Sequence, residues 1–177
     1  MKKRNLSKTV TDRIATCTQY GGKWLNLSAL GLKELPAEVL QFSDVEQLDL
    51  SNNSLSELPA ALGVLKNLRV LSLQNNCIAQ IPAELGSLNE LVRLNLNNND
   101  ITVVDENIGK LHNLTTLYLS RNKLRRLPKT IADLVTLQVL SLQDNRLTIP
   151  YEILSGSIAG LRNYLASLED GPTYTLS

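Results

Sequence analysis

The sequence predicts an α/β solenoid, with a curved parallel β-sheet on its concave side and turns or short helices on its convex side. Three observations predict it. A 23-residue unit recurs five times, from Val45, Leu68, Leu91, Leu114 and Leu137. Each copy has leucine-type residues at offsets 0, 3 and 5, an asparagine at offset 8 and an apolar residue at offset 10. The units at the two ends depart from this pattern, as a stack requires when its end units have only one neighbour. A fixed period in the twenties means that no unit buries its apolar face alone; stacking builds one continuous core.

Offsets 2 to 6 read as a short strand. In Leu68-Arg69-Val70-Leu71-Ser72-Leu73, alternation turns Leu71 and Leu73 inward and residues 70, 72 and 74 outward. Asn53, Asn76, Asn99, Asn122 and Asn145 then fall at a bend where buried backbone groups lack strand partners. A side-chain amide supplies both donor and acceptor there, so the five residues form a structural asparagine ladder. The second half of each unit turns at Leu58-Pro59, Ile81-Pro82 and Leu127-Pro128, where proline sets an extended backbone. Leu62-Gly63 and Leu85-Gly86 follow as a turn or short helix. The copy from Leu91 has Val104-Asp105 in place of the proline step, which predicts a looser turn.

The first coil, 22–44, is degenerate: Leu25 and Leu27 hold strand positions, but Leu30 replaces the asparagine. The last coil loses one residue, so Ile149-Pro150 arrives early. Upstream, Leu6, Val10, Ile14 and Cys17 lie on one face of an amphipathic helix. Thr9 and Asp12 form a loose capping box for it, and Gly21-Gly22 stop it. Downstream, Ile158, Leu161, Leu165 and Leu168 form a second stripe after Ser157 as N-cap. The organisation read from this is an N-terminal capping helix over 1–21, six coils over 22–159, and a C-terminal capping helix with a polar, mobile tail over 160–177.

A chain of 177 residues is one domain with a sizeable core. Its net charge of +1 directs it to neither nucleic acid nor membrane. No stretch approaches the roughly 18 continuous apolar residues of a membrane span, and Lys2-Lys3-Arg4 leads into no apolar signal core. Enzyme chemistry finds little footing. His112 is the only histidine, no histidine falls beside Cys77 by register, and neither a phosphate loop nor a paired-cysteine metal motif occurs. The sequence calls for no cofactor or metal. A basic run, Arg121, Lys123, Arg125, Arg126 and Lys129, reads as a solvated face or a dock for an acidic partner.

The motif L-x-x-L-x-L-x-x-N-x-L-x-x-L-P-x-x-L-G-x-L, over about residues 22–165, resembles the leucine-rich repeat family, and most closely its intracellular scaffold-type 23-residue repeats. The resemblance implies protein–protein binding on the concave sheet and no particular partner. Extracellular members usually carry disulfide-rich caps. Here Cys17 and Cys77 stand far apart, which points to a reducing, cytoplasmic compartment. Ubiquitin-ligase effectors of the family carry a large domain after the repeats; only a cap and tail are read here, so that activity is not expected. Short arrays without disulfides are similar to bacterial effectors delivered into host cells. The ending 168–177 is loosely similar to type IV secretion signals, with an ordinary frayed tail the favoured reading.

Where the consensus imposes no residue, side chains are free for recognition. The outward rows are Trp24, Gln47, Val70, Arg93, Thr116, Val139; then Asn26, Asp49, Ser72, Asn95, Tyr118, Ser141; then Ser28, Ser51, Gln74, Asn97, Ser120, Gln143. Interface energy concentrates in Trp, Tyr and Arg. The candidate partner-binding residues are therefore Trp24, Asp49, Val70, Arg93, Asn95, Tyr118, Arg121 and Val139. For Trp24 an alternative is packing beneath the N-terminal cap. The expected function is non-catalytic: a monomer that recognises a folded protein and modulates or inhibits it by covering a functional surface. The alternative is an adaptor that bridges two proteins in a signalling complex.

Overall fold

A computed structural model of the chain describes residues 2–168, with side chains from Thr9 onward. Within it, six three-residue strands form one parallel sheet in sequence order: β1 (Trp24–Asn26), β2 (Gln47–Asp49), β3 (Val70–Ser72), β4 (Arg93–Asn95), β5 (Thr116–Tyr118) and β6 (Val139–Ser141). Each pairs with the next at a shift of one repeat, so Leu48, Leu71, Leu94 and Leu117 stack in one inward column. All four are at most 1 % exposed. Period two thus supplies the inner core wall, and the 23-residue period keeps it in line from coil to coil.

The asparagines join the coils beneath the sheet. Asn53 Oδ1 accepts from the Leu32 N–H at 3.0 Å, and its amide donates to Leu27 O and Leu50 O, both at 2.9 Å. Asn76, Asn99, Asn122 and Asn145 repeat that pattern one coil further each time. These bonds satisfy backbone groups that the short strands leave without partners.

The convex side carries five 3-10 helices: η1 (Ala37–Gln41), η2 (Ala60–Val64), η3 (Ala83–Ser87), η4 (Glu106–Lys110) and η5 (Lys129–Asp133). Pro36, Pro59, Pro82 and Pro128 precede four of them with φ between −60° and −68° and an extended ψ. The looser turn expected at Val104-Asp105 is not found. Asp105 adopts φ −68° and ψ 147°, as the prolines do, and its carboxylate accepts from the Asn107 N–H at 2.8 Å. A capping side chain holds by hydrogen bonding the backbone that proline holds by its ring. Close approach of neighbouring helices accounts for Gly86: a Cβ there would lie 2.3 Å from the Asn107 carbonyl oxygen.

Helix α1 (Lys2–Gln19) packs against β1 with Val10 and Cys17 buried and Ile14 half-buried. Burial pushes the Cys17 thiol up, and a hydrogen bond with the Trp24 backbone partly offsets this. The helix ends where Gly22 N–H donates to Cys17 O and Gly21 N–H to Thr18 O, with φ of +71° and +90° at the two glycines. The Thr9–Asp12 capping box is overturned: α1 starts at Lys2, so both residues lie in its interior. The Leu6 side chain lies outside the described ones.

At the other end, a short helix α2 (Tyr151–Leu154) precedes α3 (Ile158–Ser167), whose N-cap Ser157 accepts from the Gly160 N–H. Helix α3 buries Leu161 and Leu165 against η5, and Arg162 donates to the Leu134 and Leu137 carbonyls. Leu168 does not join that stripe; it is 39 % exposed beyond the end of the helix. Because α3 packs on the convex side, the sixth coil stays partly open. Leu140, Leu142 and Leu147 are half-buried, whereas Leu117, Leu119 and Leu124 one coil earlier are fully buried. A cavity of about 410 Å³ separates this coil from α2 and α3. The tail, read as an ordinary frayed end with a loose similarity to a secretion signal, lies from residue 169 on outside the described residues.

Candidate functional site

The register puts Trp24, Gln47, Val70, Arg93, Thr116 and Val139 side by side along one row of the concave sheet. Asn26, Asp49, Ser72, Asn95, Tyr118 and Ser141 form the row beside it, two residues further along each strand. Both rows face away from the core, because the leucine between them points inward. Trp24 is 60 % exposed, so its indole does not pack beneath the N-terminal helix. Arg93 is exposed, Val139 is 42 % exposed, and Tyr118 and Val70 are half-buried. Across the face the chain thus presents an indole, a guanidinium, a phenol and two valines.

Not every outward position is free. Asp49 accepts from the Ser51 N–H at 2.9 Å and Asn95 from the Asn97 N–H at 3.1 Å, each closing a local turn at the end of its strand. Asn26 does the same for Ser28. Tyr118 has no such acceptor, and the Ser120 N–H instead donates to Asn97 Oδ1 of the previous coil at 2.8 Å. That substitution leaves the phenol unengaged by the backbone. Thr116 and Ser51, treated in sequence as outward and free, are buried at 7 % and 3 % exposure. Thr116 lies in register between Arg93 and Val139.

A rim borders the sheet. Asn52, Asn75, Asn98, Arg121 and Asp144 occupy one offset and all have φ of 56° to 59°. Asparagine and aspartate tolerate this left-handed backbone better than other side chains. Asn75 donates to Asn52 Oδ1 and Asn98 to Asn75 Oδ1, each at 2.7 Å, so a second, exposed asparagine ladder runs beside the buried one. Sequence reasoning passed over it, although the paired Asn52-Asn53, Asn75-Asn76 and Asn98-Asn99 carried the signal. Arg121 breaks the series and instead pairs with Asp144 at 3.4 Å.

The basic run divides once folded. Arg121 stands on the rim, and Lys129 donates to the Leu168 carbonyl. Lys123, Arg125 and Arg126 lie on the flank, joined by Arg146, which sequence reasoning missed though it sits one period after Lys123. Near the first coil, Lys23 and Glu46 share a 2.5 Å hydrogen bond that holds the lysine above and the carboxylate below its ordinary value. Cys77 is exposed after Asn76, while His112 is exposed after η4, at a different point of the coil. Among the described residues, no three of His, Cys, Asp and Glu gather to hold a metal, and no helix is long and apolar enough to cross a membrane.

No curated protein matches the sequence. Solved structures do. The leucine-rich repeat domain of the type III effector XopL has a TM-score of 0.75 at 26 % identity, over 82 % of this chain and 52 % of that one. A leucine-rich repeat protein of Leptospira interrogans has a TM-score of 0.58 at 32 % identity, over 79 % of this chain and 48 % of that one. The plant peptide hormone receptor RGFR1, in complex with RGF2, has a TM-score of 0.65 at 39 % identity, over 71 % and 21 %. The chain therefore spans about half the length of the first two and a fifth of the third. The model of a leucine-rich repeat region matches residues 66–164 and a leucine-rich repeat model matches 44–65, so the stacked strands, ladder and outward rows are those of a member of the leucine-rich repeat family.

Proposed function

We propose that the chain is a non-catalytic module that binds a folded protein on its concave face and modulates or inhibits it by occluding a functional surface. The observation that carries this is the row of Trp24, Val70, Arg93 and Val139 beside Tyr118, large or apolar side chains that the repeat does not require and the core does not use. Arg121 adds to it, since an arginine in left-handed backbone costs stability that a function would offset. Asp49 and Asn95 contribute there only with the groups that their local turns leave unused.

An interface of standard size takes about 800 Å² from each partner, and its energy gathers on a few aromatic and arginine anchors. Tyr118→Ala and Arg93→Ala should each weaken the complex by about 1–4 kcal/mol. The partner is recovered by affinity capture on the wild-type chain beside the Tyr118→Ala/Arg93→Ala variant, identified by mass spectrometry, and its affinity measured by calorimetry. Equal affinity for both forms would move the site off the concave face.

The likeness to XopL, a type III effector, supports action as a bacterial effector in a host cell. Two free thiols, Cys17 and Cys77, suit the reducing cytosol where such a protein works. RGFR1, bound to RGF2, supports a polypeptide ligand.

A further inference from the structure

We propose that the flank of the last three coils is a second docking surface, which takes a short acidic segment of a protein partner. Where each coil leaves its ladder asparagine, the chain runs along the side of the solenoid, and equivalent positions of successive coils stack. Lys123, Arg125 and Arg126 of the fifth coil and Arg146 of the sixth surround a depression of about 610 Å³ with Thr102 and Val103 of the fourth. All four cations are exposed.

Among the described residues, Lys123 alone of the four has a carboxylate partner, Asp100 at 2.6 Å. The side chains of Arg125, Arg126 and Arg146 make no hydrogen bond or ion pair among the described residues. Coils stand roughly 4.8 Å apart at the sheet, so these like charges are held close together, and an anion between them relieves the repulsion. Planar guanidinium groups also match carboxylates by paired hydrogen bonds.

Two features choose a peptide over a polyphosphate or a membrane. Val103 is 41 % exposed and lines the depression, which favours an apolar side chain beside the acids. In the column of Val103 and Arg126, the earlier coils place the exposed carboxylates Glu34 and Glu57. A nucleic acid or an anionic membrane laid along the flank meets those like charges. A segment of a few acidic residues ends before it reaches them.

The test is fluorescence anisotropy with a labelled eight-residue peptide of Asp and Glu around one Leu. Saturable binding is expected at low salt, falling as salt rises. It should weaken about tenfold or more in Arg125→Glu/Arg126→Glu/Arg146→Glu, since three charge-assisted contacts turn repulsive. The same triple change to Gln should lose less, and melts of both variants establish that they remain folded. The Tyr118→Ala/Arg93→Ala variant should bind the peptide like wild type, so failure of the concave-face reading leaves this result intact. Absence of saturable binding, indifference to both triple variants, or tighter binding to duplex DNA or phosphatidylserine vesicles than to the peptide would each overturn it.

Discussion

Asn99 shows how much of the fold one polar side chain holds. Its carbonyl oxygen accepts from the Ile78 N–H at 3.0 Å, and its amide donates to Leu73 O at 3.0 Å and Leu96 O at 3.1 Å. At 7 % exposure, water cannot replace these bonds. Asn99→Leu keeps the branched shape, removes the amide and leaves those groups without partners, at roughly 1–3 kcal/mol each. For a chain of this size the melting temperature should fall by at least about 4 °C. A melt within about a degree of wild type would contradict the ladder's energetic role. The exposed ladder of Asn52, Asn75 and Asn98 has the same spacing but faces solvent, so its bonds compete with water and are worth less.

The turn entering η4 separates two ways of making one backbone. Its neighbours use proline; here Asp105 accepts from Asn107. Asp105→Ala removes the cap and should cost about 0.5–2 kcal/mol. Asp105→Pro also removes the cap, but its ring fits the φ of −68° already present and restricts the unfolded chain. Chemical denaturation should therefore rank Asp105→Pro above Asp105→Ala. The reverse order would mean that the carboxylate does more than hold the turn.

In the whole molecule, stability varies along the stack because an end coil has one neighbour and an inner coil two. Leu96 and Leu142 occupy the same offset, but Leu96 is fully buried and Leu142 faces the open sixth coil. Leu96→Ala should cost about 2–5 kcal/mol, and Leu142→Ala clearly less, as measured by urea unfolding. Equal losses would mean that the sixth coil is as well covered as the fourth. The same geometry separates the recognition surfaces: the concave rows use outward strand positions, and the basic flank uses the side chains that follow the ladder.

The repeat made the architecture legible from residues alone. A fixed period, leucines at alternate positions and an asparagine after each strand admit one stacking, and the inward column from Leu48 to Leu117 follows from it. The outward rows were legible for the same reason, since alternation assigns both faces at once. What the chain pattern left open was the occupancy of each position. Whether Trp24 faces solvent, whether Asp49 and Asn95 are spent on turns, and whether Thr116 is buried depend on neighbours one coil away. The gathering of Arg146 with Lys123, the proline-like backbone at Asp105 and the incomplete cover of the last coil likewise arise between coils. Periodicity encodes the direction in which a side chain points; its company is settled only when the coils close on one another.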